Sequence, residues 1–347
     1  MKSDTVTLSD RLVFLLAVNT GLVTGGKPDN RFLEFYRGRS SSSLYCAIVG
    51  NVVVPGGFAS NDVTPALTTD PVWADLASTI RAQGTLPGIQ LATTWEGYVG
   101  ARKFLTGEAN KFIPLARCMV RSMDSDSMAA VLDSFDLASN MAIRHGFGHI
   151  QIHAAHGYLL SLLVDHRINC AANSALDRLG LLAERLRHEG VETSIRISLR
   201  TGDSDFDSSG SEVFQDTISK LPFDFVDISS GFYNIDKRLI YPSRPDIITH
   251  RIQESVALAL RHPYRSFILS GRAMSQDWAS IPSNMHAGIC RDLIANPRFL
   301  QEPHDGCRNH NKCHYYSRGG SHLICARWPE AQLRQLGKRA SATNKAD

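Results

Sequence analysis

Short apolar runs alternate with longer amphipathic stretches along the chain. Residues 12–18 are continuously apolar, the pattern of a strand buried on both faces, and Asn19-Thr20-Gly21 ends the run. Pro28-Asp29 opens a helix expected to reach about Arg39, with apolar positions at Phe32, Phe35 and Tyr36. Further strands are predicted at residues 46–54, 88–92, 149–154, 194–198, 225–229, 266–269 and 287–289. Between them, helical spacing runs from Asp70-Pro71 to about Gln83, then over 126–145, 174–188, 211–220 and 247–260. A short helix is expected at 276–281, and a last one over 292–300, broken at Pro297. Residues 93–124 show little periodicity and are expected to lie over one end of the fold. Short apolar strands alternating with helices predict a parallel (β/α)8 TIM barrel over residues 1–300. Residues 301–347 form a C-terminal extension, whose polar tail after Leu336 is expected to be disordered.

Composition narrows the function classes. The 347 residues are 43% hydrophobic and 20% charged, with a formal net charge of +3, and no basic run carries interleaved aromatics. Nucleic-acid binding is not expected. No apolar stretch approaches the ~20 residues of a membrane span, and the N-terminus lacks the basic-then-apolar build of a secretory signal. A cytoplasmic protein acting on a small molecule is the expectation, with homo-oligomer formation left open. Seven cysteines, four of them (Cys46, Cys118, Cys170, Cys290) scattered in apolar or mixed contexts, resemble reduced intracellular usage rather than a disulfide framework.

The richest chemistry follows the fourth strand, at Ile152-His153-Ala154-Ala155-His156-Gly157-Tyr158. In an extended chain, positions i and i+3 face opposite ways. His153 and His156 converge only if the strand ends near Ala155, and Gly157 favours a bend. Two neutral imidazoles beside a phenol could clamp a carbonyl or anionic oxygen. They could equally bind a metal, or be structural histidines satisfied within a loop. Gln90, His153, His156, Tyr158, Arg196 and Gly231 all fall at or just after the C-terminal ends of predicted strands, where barrel active sites form.

His-Ala-Ala-His-Gly-Tyr-Leu-Leu after a strand resembles the Old Yellow Enzyme family of FMN-dependent ene reductases, closest to its branch with a His-x-x-His pair. Further segments resemble that family in the same order: Ser9-Asp10-Arg11-Leu12-Val13-Phe14, Arg31-Phe32-Leu33-Glu34-Phe35-Tyr36, Ile89-Gln90-Leu91, Ile195-Arg196-Ile197-Ser198, Val226-Asp227-Ile228-Ser229-Ser230-Gly231 and Ile289-Cys290-Arg291-Asp292-Leu293-Ile294-Ala295-Asn296-Pro297. The resemblance implies FMN contacts at Val18, Asn19, Gly50, Gln90, Arg196, Gly271, Arg272, Cys290 and Arg291. It assigns Gln90 to the pyrimidine edge of the flavin and Arg196 to the charge that develops on reduction. The phosphate belongs at the loops after strands seven and eight. NAD(P)H is the implied reductant and an electron-poor alkene the implied substrate. His153 and His156 would hold the substrate oxygen, and Tyr158 would protonate the α-carbon. An oxidative or desaturating reaction on the same cofactor, and a non-catalytic barrel acting as a binding subunit, are the alternatives.

Departures from the family pattern are specific. Leu16-Ala17 stands where the family has a proline. Ser41-Ser42-Ser43-Leu44-Tyr45 replaces a glycine-rich turn, and Asn169-Cys170-Ala171-Ala172-Asn173-Ser174 replaces a longer segment with paired glycines. Cys290 puts a Cβ where backbone should approach phosphate. Cys307-x2-His310-x2-Cys313-x11-Cys325 resembles a cysteine cluster that holds iron and sulfur in larger relatives. Here three thiolates and His310 suit tetrahedral zinc, or a relic without metal.

Overall fold

The computed structural model describes residues 10–106 and 109–329, so the tail expected after Leu336 lies outside the described residues. Eight parallel strands close a barrel: β1 (Val13–Leu15), β2 (Cys46–Val53), β3 (Leu86–Ala92), β4 (His149–Ala154), β5 (Glu192–Ser198), β6 (Phe225–Ser229), β7 (Ser266–Leu269) and β8 (Met285–Ile289). Each strand pairs with its sequence neighbour, and β8 closes onto β1 with Phe14 opposite Gly288. The TIM-barrel expectation is met.

Local chemistry explains where the helices begin. Asp29 accepts from the N–H groups of Arg31 and Phe32 at the start of helix Asn30–Arg37, and Asp124 accepts from Ser127 N–H at the start of Ser125–Arg144. Asp70 accepts from Val72 N–H at 3.0 Å and opens Val72–Arg81. The helix after β8 spans only Arg291–Ala295; Asn296, preceding Pro297, is extended, as the steric demand of proline requires.

Two expectations are corrected. The segment read as aperiodic contains a helix, Ala109–Arg121, with Pro114 inside it. An interior proline costs ~3 kcal/mol. Burial of Phe112, Ile113, Ala116 and Val120 against the barrel offsets that cost, and local propensity alone does not register it. The helix expected at 276–281 is instead two 3-10 turns, Ala273–Ser275 and Trp278–Ser280.

Alternation along the strands separates two cores. Ile150 and Ile152 of β4, Ile195 and Ile197 of β5, and Val226 and Ile228 of β6 face the helices and join one large apolar cluster. A small second cluster inside the barrel holds Phe14, Leu16, Cys46, Ile48, Phe225 and Ile268, mostly from β1, β2 and β7. The interior beside β3, β4, β5 and β6 is polar, with buried Gln90, His149, Gln151, Ser194 and Asp227. Residues 301–329 pack onto the barrel: Leu323 N–H donates to Thr20 O at 2.7 Å, Trp328 Nε1 to Ile294 O at 2.7 Å, and Tyr315 joins the large cluster. Among the described residues, no helix is long and apolar enough to cross a membrane.

Phe14 is fully buried and touches Tyr45, Phe225 and His149 edge-on or tilted. Phe14→Ala opens a cavity at the apolar end of the interior. Urea unfolding should show about 3–5 kcal/mol lost stability; a loss below ~1 kcal/mol would mean that the inner cluster does not hold the barrel together.

Candidate active site

Strand register arranges the inward polar residues in rows. Gln90, Gln151 and Ser194 stand side by side on β3, β4 and β5. His153, Arg196 and Asp227 form the next row on β4, β5 and β6. β4 ends at Ala154, and the chain then turns through positive φ at His156 (63°) and Gly157 (77°). That turn brings the two imidazoles to 5.1 Å between ring centroids. The turn positions Tyr158 as well: its ring stacks on His153 at 4.8 Å and on Tyr233 at 5.5 Å.

Hydrogen-bond accounting assigns the His153 tautomer. His153 Nδ1 accepts the Ala155 N–H at 3.4 Å, so its proton sits on Nε2 and is left as a donor. Arg196 Nη2 donates to Ser229 Oγ at 3.3 Å, and Ser229 Oγ lies 2.7 Å from His156 Nε2. With two lone pairs and one hydrogen, Ser229 Oγ can accept from the guanidinium and meet His156 Nε2 either as donor or as acceptor. Burial, reinforced by Arg196, lowers the His153 pKa to about 3. Burial also drives His156 well below its usual value, with His153 and Arg196 adding to the effect. Both rings are neutral at physiological pH. Burial raises the Tyr158 phenol well above 10, while a hydrogen bond with Ser60 acts in the opposite sense.

One cavity at the C-terminal end of the barrel is lined by His153, His156, Tyr158, Gln90, Arg196, Val18, Asn19, Gly271, Arg272, Cys290 and Arg291. Two expected members stand apart. Gly50 has φ +146° and packs against Gln90; its neighbour Asn51 takes the cavity wall, and the Gly50-Asn51 peptide is cis. Gly231 shapes its own loop, where a Cβ would lie 2.6 Å from Asp236 O. Arg196 is also ion-paired to Asp227. At the other end of the cavity, Arg272 donates to Asp292 at 2.9 Å, and Arg291 donates to Pro242 O and Asn309.

The zinc expectation is not supported by the geometry. Among the described residues, no group of three or more His, Cys, Asp or Glu is disposed to hold a metal ion. His310 is exposed, whereas His314 is buried with its Nε2 4.0 Å from Cys313 Sγ. Burial raises the Cys313 thiol to about 11. Cys313 instead lines the cavity, beside His314, Tyr315 and Tyr316.

Several lining residues escaped the sequence reading. Tyr98, Tyr233, Tyr241 and His314 arrive from loops without a motif. Asp227, Gln151 and Ser229 carried a signal that was not used: each is a polar residue at an inward position of a strand whose outward positions are β-branched.

No family model matches the chain. The NADH-dependent flavin oxidoreductase of Hypocrea jecorina is 22% identical over 326 residues, covering 83% of this chain and 79% of that protein. The NADPH dehydrogenase of Bacillus velezensis is 25% identical over 316 residues, covering 85% and 90%. By sequence the chain is thus similar, at low identity, to NADH- and NADPH-dependent oxidoreductases, one of them named a flavin oxidoreductase. A solved 2-naphthoyl-CoA reductase in complex with 2-naphthoyl-CoA matches with a TM-score of 0.69 and 14% identity, over 92% of this chain and 55% of that one. At that identity it speaks for the barrel alone. In this chain the histidine pair, the tyrosine, the glutamine and the arginine line one cavity.

The depressed histidines have a thermodynamic consequence. In the unfolded chain both titrate near 6.5; in the folded protein His153 titrates near 3 and His156 well below its usual value. As pH falls below about 6.5 the unfolded chain takes up protons first. Each ring then removes up to about 1.4 kcal/mol of stability per pH unit. Urea unfolding at pH 7.0 and 5.0 should show a smaller difference for His153→Gln than for the wild type. An identical difference would mean that His153 is charged or solvated in the folded state.

Proposed function

We propose that the protein is an FMN-dependent oxidoreductase that uses NAD(P)H to reduce the activated C=C bond of a small molecule. The observation that carries this reading is the pair of neutral imidazoles, with His153 stacked against the protonated Tyr158 phenol, in the cavity that Gln90 and Arg196 also line.

The residues fit the cofactor. Gln90 gives one N–H to Gln151, and its Oε1 accepts nothing among the described residues, so an acceptor and a second N–H remain for the pyrimidine edge. Arg196 offers positive charge beside it. At the far end, the amides of Gly271 and Arg272, both in the left-handed region, donate to no protein group among the described residues. A phosphate would rest on them. Bound there, FMN supplies hydride exchange between the nicotinamide and the β-carbon of the alkene. His153 Nε2–H, joined by His156 Nδ1–H when that ring takes its Nδ1 tautomer, holds the electron-withdrawing oxygen, where negative charge develops. Their neutrality makes them hydrogen-bond donors rather than acids. Tyr158, protonated throughout the physiological range, gives its proton to the α-carbon.

Purified protein should be yellow and release FMN on denaturation, and Arg196→Ala should lower FMN occupancy. In stopped-flow measurements with an enone, Tyr158→Phe should slow reoxidation of the reduced flavin by 10²–10⁴-fold, the usual worth of general acid catalysis. Reduction by NAD(P)H should stay within a fewfold of wild type. Protein that binds no FMN, or that shows no spectral change with either nicotinamide or any electron-poor alkene, would overturn this reading.

A further inference from the structure

Beneath the cavity, the interior of the barrel carries a continuous polar column that the proposed chemistry does not use. At its floor, Glu192 accepts from Tyr45 and lies 2.5 Å from His149 Nδ1. His149 Nε2 lies 2.8 Å from Ser194 Oγ, and Gln151 Nε2 donates to Ser194 at 3.1 Å and to Asp227 Oδ2 at 3.0 Å. Gln151 Oε1 in turn accepts from Gln90 Nε2 at 2.5 Å. Arg196 Nη1 donates to the same Asp227 Oδ2. His149, Ser194, Gln151 and Asp227 are fully buried.

Donor and acceptor roles in this column are forced from one atom. Asp227 Oδ2 receives two N–H groups, so it carries no proton, and Oδ1 has no hydrogen-bond partner among the described residues. A carboxylate only accepts. Gln151 must therefore turn its NH2 toward Asp227, which leaves its oxygen for Gln90. Gln90 must turn its own NH2 toward Gln151, which presents Oε1 to the cavity. A neutral Asn at 227 would release both constraints, because it can donate to Gln151 Oε1 and leaves the Arg196 charge without a counter-ion.

We propose that Asp227 is a positioning residue of the cofactor site: it fixes which atoms Gln90 presents and sets how much positive charge Arg196 offers to reduced over oxidised FMN. The inference rests on the FMN reading above. Asp227 acts through two separable arms. The Arg196 arm distinguishes redox states, since reduction adds charge that a guanidinium stabilises. The Gln90 arm contributes equally to both states, since it is hydrogen bonding to a neutral edge.

The test measures dissociation constants of oxidised and reduced FMN for wild type, Asp227→Asn, Gln151→Leu and Ser194→Ala, with circular dichroism confirming the fold. In Asp227→Asn the preference for reduced FMN should rise at least tenfold, about 30 mV upward for a two-electron couple. Gln151→Leu should weaken both forms about tenfold and leave their ratio within twofold. Ser194→Ala, which keeps the Asp227 anchor on Gln151, should stay within twofold of wild type in both. An unchanged ratio in Asp227→Asn, or a Ser194→Ala effect as large as that of Gln151→Leu, would overturn the inference. If Asp227→Asn does not fold, the last two variants still decide whether Asp227 orients Gln90. A wild type that binds no FMN overturns the cofactor reading and this inference with it. Wild-type binding with a silent Asp227→Asn overturns this inference alone.

Discussion

A carboxylate buried inside a barrel needs donors, and Asp227 finds two, Arg196 and Gln151, at a single oxygen. Most of the site's geometry follows from that demand. Arg196, held on one side by Asp227, passes a second N–H to Ser229, the hydroxyl that also meets His156 Nε2. Gln151, held on the other side, settles the orientation of Gln90. Such an arrangement is not the most stable filling for the space. Removing two charges from water costs several kcal/mol per ion, and an apolar replacement of similar volume often does as well or better. The other half of the interior is filled in that cheaper way, by Phe14, Ile48 and Ile268. The polar half is held as a connected network in which each member restricts its neighbours, although Asp227 Oδ1 has no partner among the described residues. A set of that kind is rigid, and rigidity of donors and acceptors is what selective binding of a polar cofactor edge requires.

The barrel was legible because its strands are buried on both faces or alternate cleanly. The boundaries of β4, β6 and β7 agree with the pattern of apolar residues, as do the aspartates that begin two of the helices. The histidine–tyrosine turn was legible for a different reason: Gly157 marks the point where a period-two strand must stop if His153 and His156 are to meet. Arg196 was read as a flavin contact, and the structure makes it line the cavity and also join a buried ion pair with Asp227. Pro114 hid a helix because tertiary burial, which no local rule records, outweighs its cost. The tyrosines at 98, 233 and 241 were not legible. They come from loops, where direction depends on the whole fold rather than on spacing.

The cysteine-bearing segment has a physical role that does not require a metal. Asp292, on the short helix after β8, accepts from Arg272 at 2.9 Å and from the Cys307 N–H at 2.8 Å. One carboxylate oxygen thus ties the loop after β7 to the start of the C-terminal segment. Lys237, buried and with no carboxylate partner among the described residues, donates to Ala101 O, Arg102 O and Ser317 Oγ, and so ties the same segment to two more loops. Burial lowers its pKa to about 8. These ties bring Cys313, His314, Tyr315 and Tyr316 onto the cavity as one wall.

That wall changes how a phosphate could be held. Arg272 is ion-paired to Asp292, whereas Arg291 donates to two neutral acceptors, Pro242 O and Asn309, and keeps its positive charge at that end. Attraction there would then combine the Arg291 charge with backbone amides in the left-handed turn at Gly271 and Arg272. Amide donors act over hydrogen-bond distance and depend on direction, whereas a free guanidinium attracts over a Debye length and is screened by salt. Cys290 reinforces the difference. Burial pushes its thiol up to about 12, so the side chain adds no charge of its own to the site. The two ends of the cavity therefore differ: an ion-paired guanidinium and oriented side-chain amides around Arg196 at one, and backbone amides beside the Arg291 charge at the other.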